Sequence, residues 1–226
     1  MTSDIASSLP RFRVETVFDV GANVGQSTRR YLAAFPDAHI YCFEPVHDTF
    51  KQLEENLKGN DRVDCCQLAV ASRKGRGEMC VQGCSLMFFL VGDSKRAPID
   101  GNVPTEPVEV VTLDEFCQIR GIDHISFLKI DTEGGDLEVL KGAMSMLAEQ
   151  KIDLVQVEAG MNPGNTWHVS LERLKGFLES RRYFLFGIYE QESEWPTEEP
   201  HLRYVNAAFI SAELIGKNRA GATSVT

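Results

Sequence analysis

Missing from this sequence are the features of a membrane-spanning, secreted or zinc-bound chain. Its longest uninterrupted apolar run, LMFFLV from Leu86 to Val91, falls far short of the roughly 20 residues that cross a bilayer. The opening MTSDIASSLPRFR has neither the basic start nor the apolar centre of a secretory signal. A cytoplasmic protein without membrane insertion is therefore expected. The cysteines, at 42, 65, 66, 80, 84 and 117, form no CxxC pair and have no histidine nearby at zinc-ligand spacing. Reduced, packed thiols are expected, with Cys80 and Cys84 the one spacing that allows a pair or a metal. Positive charge is also scarce: 23 Lys and Arg stand against 33 Asp and Glu, a net charge of -10. That balance disfavours a polyanionic partner such as nucleic acid. Finally, there is no GxGxxG run, and no tyrosine is followed four residues later by lysine.

What is present is an alternation of short apolar runs with helical stripes, the pattern of a parallel sheet flanked by helices. The 226 residues suit one domain, 14–212, between flexible segments 1–13 and 213–226. VETVFDV, HIYCFEP and RVDCCQLAV read as strands, separated by helices through QSTRRYLAAF and along Val46, Phe50, Leu53 and Leu57. Residues 72–107, rich in Gly, Pro and charge, break the alternation as a hairpin or loop insertion. Within them GCSLMFFLVG is apolar enough for either an edge strand or a homodimer contact. VEVVTL resumes as a strand, and Thr112 with Glu115 forms a capping box. HISFLKI and IDLVQVE are buried strands, Leu137, Leu140, Met144 and Leu147 mark one helix, and Leu171, Leu174, Phe177 and Leu178 another. RYFLFGIYE and YVNAAFIS close the chain as an antiparallel pair joined by QESEWPTEEPHLR.

VFDVGANVGQS delivers a strand into a small-residue turn and a helix, an approach site for a ligand. Asn23 stands where a dinucleotide fingerprint needs its middle glycine, which disfavours a pyrophosphate cradle. Asp19, Gly21, Ala22, Asn23, Gly25 and Ser27 instead leave room for a ligand without phosphates, such as an amino-acid-bearing nucleoside. Glu44, before Pro45 at the end of the second strand, is placed to accept hydrogen bonds from ribose hydroxyls, the alternative being a solvated strand-end charge. Leu68 and Ala69 offer walls for an adenine ring or are plain core.

FDVGANVGQST, YCFEP, LAVAS and, most specifically, FLKIDTEGGDLEVLKGA resemble the FkbM-type methyltransferases, from about Val17 to Ile210. That resemblance implies a Rossmann-like class I fold, here a seven-stranded, mostly parallel sheet with helices on both faces and a C-terminal antiparallel hairpin. It also implies S-adenosylmethionine as cofactor and O-methylation of a hydroxyl on a sugar, glycolipid or secondary metabolite. The alternatives are a nicotinamide-dependent oxidoreductase or epimerase, and a non-catalytic interaction module.

Topology brings Asp131, Glu133 and Glu158 to neighbouring strand ends. Three roles stay open for these carboxylates: ligands, chiefly Asp131 and Glu158, for a hard divalent ion such as Mg²⁺; direct base or substrate contact; and, for Asp131, holding the cofactor's amino-acid part or capping the next helix. Lys129, odd in an apolar strand, reads as an ion-pair partner, with Glu158 one candidate, or as a catalytic lysine. His168 is either a general base beside the platform of Trp167 or a surface-loop residue.

Overall fold

The computed structural model describes residues 1–81, 89–90 and 104–223. Strands form where β-branched and aromatic residues run without helical spacing, and each is followed by a polar or glycine turn. The first half comprises α1 (Thr2–Ser8), β1 (Thr16–Val20), α2 (Gln26–Ala34), β2 (His39–Phe43), α3 (His47–Leu57), β3 (Val63–Cys66), β4 (Ala69–Val70), β5 (Gly75–Cys80), β6 (Phe89–Leu90) and β7 (Thr105–Val111). The second comprises α4 (Leu113–Arg120), β8 (Ile125–Ile130), α5 (Asp136–Lys141), α6 (Met144–Ala148), β9 (Ile152–Gly160), β10 (Val169–Ser170), α7 (Leu171–Glu179), β11 (Tyr183–Glu194), β12 (Glu199–Ser211) and α8 (Ala212–Thr223). No helix among the described residues is long and apolar enough to cross a membrane.

The main sheet runs β11-β12-β9-β8-β1-β2-β3, with the two-residue β10 added beside β9. β12 is antiparallel to both β9 and β11, and the strands from β9 to β3 are parallel. Every residue of β8 and β9 is buried, as expected of central strands covered on both faces. One face packs Phe18, Phe43 and Leu128 against Phe116 of α4, Leu140 of α5 and Leu174 of α7. The other packs Val17, Ile40 and Phe127 against Tyr31 of α2, Leu53 of α3 and Leu214 of α8. From β1 the chain steps outward to β2 and β3, then returns to lay β8 and β9 on the opposite side. The switch in strand order therefore falls between β1 and β8, where a crevice opens at the carboxyl ends.

The structure corrects several sequence expectations. RVDCCQLAV is two strands: the chain turns after Cys66, where Leu68 N–H bonds the Cys66 carbonyl at 2.9 Å, and β4 leaves to pair with β7. β4, β7, β5 and β6 make a second sheet, in which the 72–107 insertion takes part as strands and most of VEVVTL lies in β7. Most of GCSLMFFLVG, with Cys84 and the homodimer reading built on it, lies outside the described residues. The Leu137 to Leu147 stripe is interrupted at Gly142, where any Cβ would lie 2.2 Å from the Ala71 carbonyl oxygen. Residues 2–8, expected to fray, form α1 because Ile5 and Leu9 bury in the same cluster as Leu214 of α8. The loop joining the last two strands shrinks to 195–198, because the polar run after Tyr189 continues as strand, with bulges, along one wall of the crevice.

Candidate functional site

The crevice is built from the turns after β1, β2 and β8. Gly21 has φ +81°, and a Cβ there would lie 1.9 Å from the Asp131 carbonyl oxygen, so only glycine lets the first turn close against the end of β8. Asn23 follows at φ +50°. Gly25, φ +89°, serves packing instead: a Cβ would press on Leu53 Cδ1 at 3.0 Å, where α3 crosses the start of α2. Glu44 reaches under the turn. Its Oε2 accepts from Asn23 N–H at 3.2 Å and its Oε1 from Val46 N–H at 3.0 Å, so each oxygen keeps a lone pair for a further donor. Burial raises the Glu44 pKa to about 7 against the opposing pull of those two N–H donors.

A cavity of about 290 Å³ opens here. Gly21, Ala22, Asn23 and Ser27 line one side, Glu44 and Pro45 the base, and Leu68, Ala69 and Met79 the other side. Asp131, Thr132 and Glu133 close it from β8. Of the expected cofactor residues, Asp19 and Gly25 are absent from this wall. Asp19 is fully buried, accepts from Thr28 Oγ1 at 2.7 Å and pairs with Lys129 Nζ at 3.1 Å. The pairing follows from register: Asp19 and Lys129 are opposed on adjacent parallel strands and so share a sheet face. Lys129 also meets Asp131 Oδ2 at 3.2 Å and donates to the Gly21 carbonyl at 3.2 Å. Its carboxylate partners are thus Asp19 and Asp131, not Glu158. Burial alone would lower its pKa, but Asp131 and Asp19 more than reverse that, and the ammonium stays charged.

A second, wider cavity of about 940 Å³ shares Arg30, Asp131 and Glu133 with the first. Its far wall is the β11–β12 hairpin, with Glu190, Glu192, Glu194, Trp195, His201 and Tyr204. Sequence reasoning missed this wall, since these residues carry no motif. Arg30 of α2 pairs with Glu190 of β11 at 3.0 Å, and Arg203 pairs with Glu194 at 2.8 Å, tying β12 to β11 within the hairpin. Trp195 is 69% exposed, with the Arg203 guanidinium 5.4 Å from its ring centre.

Where the cavities meet, Glu158 at the end of β9 and His168 before β10 approach at 2.8 Å. His168 is thus not a surface histidine: its side chain is 6% exposed, tilted against Tyr204 at 4.7 Å. Glu133, φ +52°, brings a third donor, so that Glu133, Glu158 and His168 offer ligand atoms within 4.8 Å of one another. Burial raises the Glu158 pKa, and the contact with His168 opposes this. Asp136, unremarked in the sequence beyond its place in EGGDLEVL, positions both loops. It accepts from Glu158 N–H at 3.0 Å and Thr132 Oγ1 at 3.0 Å while fully buried, which raises its pKa to about 7.

The profile of the methyltransferase FkbM domain matches residues 19–185. The 2-O-methyltransferase NoeI of Sinorhizobium fredii is 25% identical over 151 residues, 60% of this chain and 60% of that protein. The hexuronic acid methyltransferase AglP of Haloferax volcanii is 25% identical over 151 residues, 66% of this chain and 58% of that protein. The chain therefore spans less than two thirds of the length of either relative. Among solved structures, M. capricolum TrmK in complex with S-adenosylhomocysteine superposes with a TM-score of 0.51 at 10% identity, covering 92% of this chain and 67% of that one. That likeness shows the fold.

Proposed function

Because this chain belongs to the methyltransferase FkbM domain family, we propose that it is an S-adenosylmethionine-dependent O-methyltransferase acting on a hydroxyl of a sugar-like small molecule. The observation that carries this is the buried Glu44 carboxylate, fixed by two backbone N–H groups and facing a cavity that has room for a nucleoside but no phosphate cradle. The family places the methyltransferase reading ahead of the nicotinamide one, in keeping with Asn23 in place of the fingerprint glycine.

The residues fit the cofactor. Glu44 would hold the ribose hydroxyls, Leu68, Ala69 and Met79 would flank the base, and the Gly21 to Asn23 turn with Asp131 would receive the amino-acid end. When bound, the cofactor supplies a methyl group on a positively charged sulfur. The protein must then align the acceptor, exclude water and remove one proton. Alignment falls to the wider cavity, where Trp195 offers an aromatic surface and Arg30 and Asn206 offer polar contacts to a polyhydroxylated ring. Proton removal falls to Glu133, Glu158 and His168, the titratable groups that converge beside the cofactor cavity.

Incubation of the full chain with S-adenosylmethionine and a panel of methyl glycosides, followed by mass spectrometry, tests the acceptor class. A gain of one methyl on a glycoside hydroxyl is expected, and its loss in His168→Ala by about 10²- to 10⁴-fold would match removal of the proton-handling group. Methylation confined to non-carbohydrate acceptors would overturn the sugar assignment.

A further inference from the structure

Glu158 and His168 form a buried carboxylate–imidazole contact. Oε2 and Nε2 stand 2.8 Å apart, yet Oε2 is buried and no donor is aligned on it. Glu158 as a residue is only 8% exposed, so solvent does not satisfy that oxygen. Such a carboxylate keeps lone pairs for a further partner. Two donors this near one another have the spacing of neighbouring ligands on a shared atom: at metal–donor distances of about 2.1 Å, adjacent ligands lie about 3 Å apart and opposite ones about 4 Å. Glu133 supplies a third donor beside them, all three within 4.8 Å of one another.

The surroundings are built to hold such donors. Asn165 is fixed by accepting from the backbone N–H groups of Trp167, at 3.0 Å, and His168, at 3.2 Å, and by donating to the Arg203 carbonyl at 2.8 Å. So fixed, it meets His168 Nδ1 at 2.8 Å through its nitrogen and 3.1 Å through its oxygen, which leaves Nε2 facing Glu158. Tyr204 packs on the ring, and Asp136 holds the Glu158 backbone. Outer hydrogen bonds of this kind orient metal ligands.

We propose that Glu133, Glu158 and His168 bind one divalent first-row transition ion between the cofactor and acceptor cavities. One imidazole with two carboxylates favours such an ion over Mg²⁺, whose preference is for oxygen donors and water. The expected Mg²⁺ ligand Asp131 is engaged by Lys129 at 3.2 Å, and the donor set uses Glu133 in its place. This inference rests on the methyltransferase reading for its chemistry. With the ion on the acceptor oxygen, the three groups act through the metal in place of taking the proton themselves, and the O–H proton passes to solvent in the wide cavity. The oxygen's electron pair then forms the C–O bond while the methyl–sulfur pair stays on sulfur.

The test is Mn²⁺ titration of the chelator-treated, dialysed full chain, with free Mn²⁺ followed by electron paramagnetic resonance and S-adenosylhomocysteine binding followed separately by calorimetry. Wild type and the surface variant Glu54→Gln are expected to bind one Mn²⁺ per chain. Glu158→Gln and His168→Ala are expected to bind it at least tenfold more weakly while still binding S-adenosylhomocysteine. Absence of saturable Mn²⁺ binding in wild type, binding that survives both substitutions, or displacement by an equal concentration of Mg²⁺ would overturn the proposal. Should a variant lose S-adenosylhomocysteine as well, Mn²⁺ broadening of the His168 imidazole resonances in wild type reads the same contact, and unbroadened resonances overturn it. Failure of wild type to bind S-adenosylhomocysteine would instead overturn the methyltransferase reading, on its own readout.

Discussion

Glu44 carries a pH dependence with a definite sign. Burial holds its carboxyl near 7, so at pH 5.5 it is mostly protonated in the free protein. On the proposed role, ribose hydroxyls would donate to the ionised form, so binding would expel that proton. Affinity for S-adenosylhomocysteine should therefore rise with pH by up to about tenfold per unit between roughly pH 5 and 7 and level off above, whereas Glu44→Gln should show a flat profile. Calorimetry in buffers of different ionisation enthalpy checks the proton release. Lys129 makes a different prediction, about stability. Its removal strands the fully buried Asp19, so Lys129→Met should cost about 3–5 kcal/mol in urea unfolding, with Asp19→Asn/Lys129→Met recovering much of the loss. The pair was half legible in the sequence: a lysine in an apolar strand calls for a carboxylate, but only strand register shows that Asp19, read as a cofactor contact, is the partner.

Among the elements, the strand–turn–helix units that carry the proposed cofactor residues were legible because glycine and proline punctuation coincides with hydrophobic period changes. Gly21, Asn23, Glu44 and Asp131 all reach the cavity wall as placed from the sequence. The wider cavity was not, since Tyr204 and Asn206 lie far from Glu158 in sequence and come beside it only because β12 pairs antiparallel with β9, Asn206 opposite Glu158. Local patterns hold no information on that pairing. The two sides are coupled at Gly134, φ +97°, where a Cβ would lie 2.2 Å from the Trp167 carbonyl oxygen. Gly134→Ala should displace the 161–168 loop with His168, lowering acceptor turnover at least tenfold while changing S-adenosylhomocysteine affinity by less than about threefold. Parallel turnover assays and calorimetry read the two effects separately.

Across the whole molecule, the main sheet was legible as a class, mostly parallel with a terminal antiparallel hairpin, because buried parallel strands and amphipathic helices alternate so regularly; the two-residue β10, an eighth strand, was not. The second sheet was not, because its pairing of β5 with β7 spans an insertion with weak periodicity. The smaller cavity draws on the main sheet and on Ala69 and Met79 of the second sheet, and the wider one on the main sheet and the hairpin, so ligand binding in the smaller cavity reports on both sheets. Saturation at about 100 times the dissociation constant should stabilise the protein by about 2.7 kcal/mol, seen as a rise in melting temperature. The most direct measurement of the central claim is calorimetric titration of wild type and Glu44→Ala with S-adenosylhomocysteine. One site per chain at micromolar affinity or tighter, weakened in the variant by about 1–3 kcal/mol, is the result expected of a buried carboxylate that holds the ribose. No binding to wild type, or equal binding to both proteins, would contradict it.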